Sequence, residues 1–466
     1  MNKTLISLIA AAAGLIASGA ALADAANVEV YGTLNTDFEN VKATGATGAG
    51  TARPGCPNGT CGMGGTPSGL VEPSRNRVTS NSSNIGFRGK EDLGMGLNAI
   101  FQIESGISID NATNTSTTSG TNSTGFLGTR NTNIGLSSKT LGTLFYGNWD
   151  TPYKSLTNTN AFDSFWGTGI ANDNTMIGTP GFGVASSNGT GRVNGAADAS
   201  FDRRQGNSVQ YWTPQFYGIS GRLAYSANEG RAAENATVAA PNTNPAIYSA
   251  NIAYDSPTFE YGSFRIAYSF EQHRDYFGLS QLGGTPLGTP AMGANPASRD
   301  NGNKVALSYN VNTKLGMTSL NVAFEQLAYN NSESGVAAAP ATDLIQYHRN
   351  VLYVPVKHQI GANTFRLGFG QAWAGSCHRA GGPTTACSTS GLDAKQYSLG
   401  YSYSFSKRTD VYGFYTLINN GDFGNYVLGN GAGISSTGTT AAGAGGGSAG
   451  VGARQQGFGL GMRHVF

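Results

Sequence analysis

Beyond residue 23 the chain lacks any run of about 18 uncharged apolar residues, so membrane-spanning helices are excluded from the rest of it. Charge is also scarce. Asp, Glu, Lys and Arg make up 12% of the sequence, about half the usual ~25%. The 29 Lys and Arg become 28 once Lys3 is set aside with the leader, against 27 Asp and Glu. That near balance gives no basic face for nucleic acid, and no such partner is expected. Histidine is limited to His273, His348, His358, His378 and His464. No GxSxG, HExxH or close Ser/His/acid grouping accompanies them, so an enzyme is the weaker alternative and no catalytic residue is assigned.

Cysteine is limited to four residues in two Gly/Pro-rich stretches, Cys56 with Cys61 and Cys377 with Cys387. No CxxC occurs and the spacing is unlike a zinc ribbon, although His378 adjoins Cys377. In an exported chain the simpler expectation is two local disulfides, Cys56–Cys61 and Cys377–Cys387, with no metal and no cofactor.

What the sequence does have is an export address and a strand pattern. Lys3 precedes an apolar run from Leu5 to Ala17, and Ala21-Leu22-Ala23 completes a small-residue cleavage site. Residues 1–23 therefore read as a signal peptide and residues 24–466 as one barrel domain. Glycine is abundant, at 68 of 466 residues. Period-two alternation recurs in segments of about ten residues, the length a tilted strand needs to cross a bilayer. Tyr397, Leu399, Tyr401, Tyr403 and Phe405 alternate with Ser398, Gly400, Ser402 and Ser404. Phe264, Ile266, Tyr268 and Phe270 alternate with Arg265, Ala267, Ser269 and Glu271.

About sixteen such segments begin near Val28, Arg77, Leu97, Asn131, Leu144, Asn207, Ile219, Ile247, Phe264, Lys304, Leu320, Val351, Phe365, Gln396, Thr409 and Gly457. Short turns alternate with long polar connections, as periplasmic turns and extracellular loops do. A soluble sandwich or propeller has no reason to sort its connections this way. The expected fold is all-β, a transmembrane antiparallel barrel of about sixteen strands, whose lumen is too wide for side chains to fill. Arg222, Arg265 and Arg366 alternate with lipid-facing residues and should face the lumen.

Several stretches resemble the general trimeric porins of Gram-negative bacteria, in the branch that includes the Neisserial and Burkholderia-type porins. They are Val28 to Gly32, the hairpin Ile85 to Gly96, Asn133 to Leu136, Gly147 to Tyr153, Asn207 to Pro214 and Gly459 to Phe466. The resemblance implies an outer-membrane channel for passive diffusion of ions and small hydrophilic solutes, a solute-specific channel being the alternative. It further implies a homotrimer, contact with outer-membrane lipid and lipopolysaccharide, and recognition of the terminal Phe466 by barrel-assembly machinery.

The resemblance also implies an inward-folded third loop, here about Lys154 to Gly206, with acidic residues opposing basic residues on the wall. On that pattern Asp163 and Asp173 form the loop side of the constriction, and Phe162, Phe165 and Trp166 anchor the loop. Arg75, Arg77 and Arg130, with Arg203 and Arg204 at the end of the loop, form the wall side. Asn148 stands where many relatives carry Arg, which argues against strong anion selectivity.

Overall fold

The computed structural model describes residues 27–56, 67–110, 127–181, 187–188, 199–227, 244–282, 297–331, 344–379, 387–429 and 449–466. The proposed signal peptide and Asp24 lie outside these residues, as does Cys61.

The strands are Asn27–Thr44 (β1), Glu72–Ser80 continued by Asn84–Asp92 (β2), Leu97–Gly106 (β3), Thr132–Ser138 (β4), Gly142–Asp150 (β5) and Arg203–Trp212 (β6). Ile219–Ala227 (β7), Ala246–Asp255 (β8), Ser263–Arg274 (β9), Arg299–Thr313 (β10), Gly316–Asn330 (β11) and Leu344–Ile360 (β12) follow. Asn363–Ala372 continued by Ser376–Arg379 (β13), Ala394–Ser404 (β14), Thr409–Asn420 (β15) and Arg454–Val465 (β16) complete the wall. Each strand pairs antiparallel with the next, and β1 pairs with β16 from Thr33 opposite Val465 to Thr44 opposite Arg454. The barrel is therefore closed with sixteen strands. Closure removes the free edges that lipid could not satisfy.

The alternation read from the sequence becomes inside and outside. Along β14, Tyr397, Leu399, Tyr401 and Tyr403 are exposed on the outer surface, while Gln396, Ser398, Gly400 and Ser402 are buried on the inner one. Phe264, Ile266 and Tyr268 of β9 are likewise exposed, while Ala267 and Ser269 in the opposite phase are buried. Apolar side chains meet lipid here and small polar ones line the lumen, the inverse of a soluble protein.

Two strands are interrupted where the alternation alone gives no warning. In β2 the break falls at residues 81–83, where Asn81 N–H donates to Asn35 O at 2.8 Å and Asn35 N–H donates to Ser83 Oγ at 2.9 Å. In β13 it falls before Ser376, at Gly375, whose φ of +77° is a left-handed conformation that glycine adopts at no steric cost. The short connections lie at one end of the barrel. At that end Gly32 and Phe466 exchange backbone hydrogen bonds of 3.1 and 3.0 Å, so the last residue is fastened to the first strand. Cys377 and Cys387 form a disulfide at the opposite end.

Candidate functional site

The connection between β5 and β6, residues 151–202, is here called L3, and its described residues, 151–181, 187–188 and 199–202, turn into the barrel. Two kinds of surface hold it there. The first is apolar: Phe162, Phe165, Ile170 and Met176 are buried between the loop and the wall. Glycines on β13 to β16 make room for them. A Cβ at Gly368 or Gly400 would lie 3.0 or 2.9 Å from the Phe165 ring, and one at Gly457 would lie 2.5 Å from Ile170 Cδ1. Burying each such side chain is worth about 1.5–3 kcal/mol relative to exposure.

The second surface is a polar clasp from β8 to β12. The Glu325 carboxylate accepts from Gly178 N–H at 2.9 Å and from the Tyr153 hydroxyl at 2.8 Å, and pairs with Arg349 at 3.1 Å. Arg349 in turn donates to the carbonyls of Met176, at 3.2 Å, and Thr179. Asn321 donates to Phe162 O at 2.7 Å, Asn251 to Pro152 O at 2.8 Å, and Lys304 to Thr157 Oγ1 at 3.1 Å. Glu325 and Arg349 are both buried, so each charge depends on the other.

Asp163 and Asp173, expected at the narrowest point, are instead turned into the wall, Asp163 at 0% and Asp173 at 1% exposure. Asp163 Oδ1 accepts from the Tyr353 hydroxyl at 2.9 Å and from Phe165 N–H at 3.0 Å, and its Oδ2 accepts from Asp173 N–H at 2.9 Å. The physical reason is that a loop crossing a barrel needs acceptors for its own turns and for the wall hydroxyl more than it needs charge in the passage. Burial pushes the Asp163 carboxyl up to about 6. Burial, with the neighbouring Asp163 and Asp202 charges, holds Asp173 well above the ordinary carboxylate range. Phe162 and Phe165 lie against the wall, but Trp166 is 37% exposed and lines the passage.

The passage is a concavity of 920 Å³ between the front of L3 and β1 to β6. Asn158, Trp166, Gly167, Asn172 and Asn174, with Lys154 at the root of the loop, present the loop side, and Glu104, Arg130, Asp150 and Arg204 present the wall side. Arg130 pairs with Glu104 at 2.6 Å, Arg204 with Asp150 at 3.3 Å, and Lys154 with Asp202 at 3.0 Å. Arg77 of β2 pairs with Glu39 of β1 at 2.6 Å, and Arg75 pairs with Glu72 at 3.5 Å within β2. Arg203 and Arg204 belong to β6 rather than to the end of the loop, because the strand extends upward past Asn207. Arg203 is buried with its guanidinium over the Tyr276 ring, away from the passage.

Nearer the short turns, Arg366 donates to Ser402 Oγ at 2.7 Å and shares a concavity with Trp166 and Arg463. Arg222 lies over the Trp212 ring, and Arg265 pairs with Asp255 at 2.9 Å. Asn148 donates to Arg130 O at 3.0 Å, holding the backbone beside the wall arginine. The clasp residues Lys304, Glu325 and Arg349 were not singled out from the sequence. Their signal was a charge at an inward phase of a strand.

A closed sixteen-strand barrel with a loop folded across its lumen defines a wide membrane pore narrowed from within. Comparison with known proteins gives that class its family. The Gram-negative porin model matches residues 8–422, and the chain belongs to that family. It is 25% identical over 414 residues to the major outer membrane protein P.IB of Neisseria lactamica, covering 88% of this chain and 91% of that protein. An anion-selective porin from Comamonas acidovorans superposes with a TM-score of 0.60 at 20% identity, over 95% of this chain and all of that one. A trimer form of the Vibrio cholerae outer membrane protein OmpT superposes with a TM-score of 0.52 at 14% identity, covering 95% and 100% of the two chains. The protein is thus a porin of the bacterial outer membrane, forming a water-filled channel for passive diffusion of small hydrophilic solutes.

Proposed function

We propose that the channel carries no catalytic activity and favours anions weakly, through unpaired cations on the turn side of L3 rather than through opposed charges at the loop. The observation that carries this reading is the orientation of L3. Among the described residues its acids are Asp163 and Asp173, turned into the wall, and Asp202, paired with Lys154, so its front is neutral. Arg88, Arg130, Lys154 and Arg204, which line the passage, are paired with acids beside them. Lys357, Arg366 and Arg222, by contrast, have no carboxylate within ion-pairing distance among the described residues.

Cations in a low-dielectric passage raise the local anion concentration, and salt screens the effect. Reversal potentials in a potassium chloride gradient test the proposal. Chloride should be favoured a few-fold at low salt and less at high salt. A preference for potassium would reject it.

We also propose a homotrimer, supported by family membership and by the trimer form described for the Vibrio cholerae protein. Contact with lipopolysaccharide and recognition of Phe466 by assembly machinery go with that reading. Light scattering in detergent, corrected for bound detergent, should return three chains per particle. A monomer would overturn the assignment.

A further inference from the structure

Tyr329 and Tyr353 of the inner wall donate their hydroxyls to L3, but three aromatic residues nearer the short turns are not used in holding it. Phe145 and Trp149 of β5 and Trp212 of β6 meet edge to face, with ring centroids 5.2 Å apart for Phe145 and Trp149, 5.1 Å for Phe145 and Trp212, and 5.9 Å for the two tryptophans. Trp149 and Trp212 are only partly buried, and together with Phe145 they line a concavity of 520 Å³. Such a volume lies in the range of small-molecule sites.

A cation is built onto this patch. The Arg222 guanidinium lies 4.3 Å from the centroid of the Trp212 ring and donates through Nη1 to Ser155 Oγ at 3.2 Å, at the root of L3. It has no ion-pair partner among the described residues. Stacking on the indole leaves the edge of a guanidinium available for a planar anion. Arg222 stands beside the concavity behind Trp212, while Gln102 and Asn133 add amide groups to it and Lys90 and the Arg88–Glu29 pair line its far side.

An apolar surface on the inner wall of a water-filled barrel is costly unless something covers it. We infer that Phe145, Trp149, Trp212 and Arg222 form a binding site for small aromatic carboxylates, the ring resting on the indoles and the carboxylate on Arg222. A solute leaving the narrow passage would meet this site on the turn side of L3. The inference deepens the channel reading and rests on its anion-admitting passage.

Single channels in planar bilayers test it, with benzoate as the probe and acetate and benzyl alcohol as comparisons. Benzoate should interrupt the chloride current at a concentration about tenfold below that needed with acetate, which lacks the ring, or with benzyl alcohol, which lacks the charge. Trp212→Ala and Arg222→Gln should each raise the half-blocking concentration about fivefold or more, and Arg222→Lys should recover part of the loss.

Each variant is scored only where it keeps the wild type's folded mobility in unheated gel electrophoresis, which shows an intact barrel independently of ion flow. The comparison of the three probes on the unaltered protein needs no variant. Equal block by benzoate and acetate, or block unchanged in both Trp212→Ala and Arg222→Gln, would overturn the site while leaving the channel reading intact. A reversal potential favouring potassium, with benzoate block preserved, would overturn the anion preference instead.

Discussion

The inner wall divides into two regions that solve different problems. Under L3, on β13 to β16, it is paved with glycine and small polar residues, and Gly368, Gly400 and Gly457 are in contact range of Phe165 and Ile170. Across the passage, on β1 to β6, it carries long charged side chains in pairs, Arg77 with Glu39 and Arg130 with Glu104. A wall that must receive a loop needs absence of side chains, so that apolar contacts form at van der Waals distance. A wall that faces water needs charge, which remains hydrated and shapes the field. The difference separates the residues that seat the loop from the charged residues that face it across the passage.

The largest effect should come from breaking the clasp that holds the loop to its side. Glu325→Gln leaves Arg349 buried without its counter-charge, a change that costs about 3–5 kcal/mol where a buried pair is broken. The loop should detach for part of the time, and single-channel recordings should show a larger conductance with more noise. Proteolysis of the folded protein should also cut within residues 154–181. An unchanged conductance and an uncut loop would mean that the apolar contacts suffice.

Filling the glycine bed should have the next largest effect. In Gly400→Val the new Cβ would start 2.9 Å from the Phe165 ring, and overpacking of this kind costs about 1–3 kcal/mol. The ring should be displaced toward Trp166, and conductance should fall rather than rise. Since Glu325 and Gly400 act on opposite sides of the same loop, opposite conductance changes would sharpen the comparison. Changes of the same sign would erase it.

Charge on the facing wall should matter less. Arg130→Gln leaves Glu104 without its partner beside the passage. Two unit charges about 8 Å apart interact by roughly 2 kcal/mol at an effective dielectric near 20, before screening. The permeability ratio should therefore move toward cations by several-fold at low salt, and the move should shrink at high salt. Arg366→Gln should shift the ratio the same way without altering conductance. If neutralising both leaves the reversal potential where it was, the wall pairs are structural only.

Much of this was legible in the sequence. All sixteen expected segments correspond to strands, because lipid outside and water inside impose a period of two that no loop imitates. Several strands begin earlier than expected, β10 at Arg299 rather than Lys304 and β12 at Leu344 rather than Val351. Their upper turns stand above the membrane, where the apolar phase is no longer enforced. The orientation of Asp163 and Asp173 was not legible. A loop has no repeating phase, so nothing in the neighbouring residues tells whether a carboxylate faces the passage or the Tyr353 hydroxyl. Glu325 and Arg349 were visible as inward charges in strands, but their pairing depends on a register of β11 against β12 that sequence spacing does not supply.

The smallest expected effect concerns the two buried acids behind the loop. Both have carboxyls raised above the ordinary value of about 3.9, Asp163 to about 6. A raised acid favours the docked loop when protonated, so docking is strongest at low pH and weakens as pH rises from about 4 through 6. Asp173 contributes in the same direction, raised by burial and by the Asp163 and Asp202 charges and opposed by Lys304. Channel noise from loop motion should accordingly decrease on acidification from neutral pH to about 5. Asp173→Asn removes the charge that burial opposes while keeping a polar side chain beside Thr157, and should strengthen docking at neutral pH by about 1 kcal/mol. Asp163→Asn should do the opposite, since one amide oxygen cannot replace two carboxylate oxygens that accept from Tyr353, Phe165 and Asp173. If Asp173→Asn raised the noise and left its pH dependence intact, the acid would be a structural acceptor like its neighbour, and the loop's pH response would have to arise from Asp163 alone.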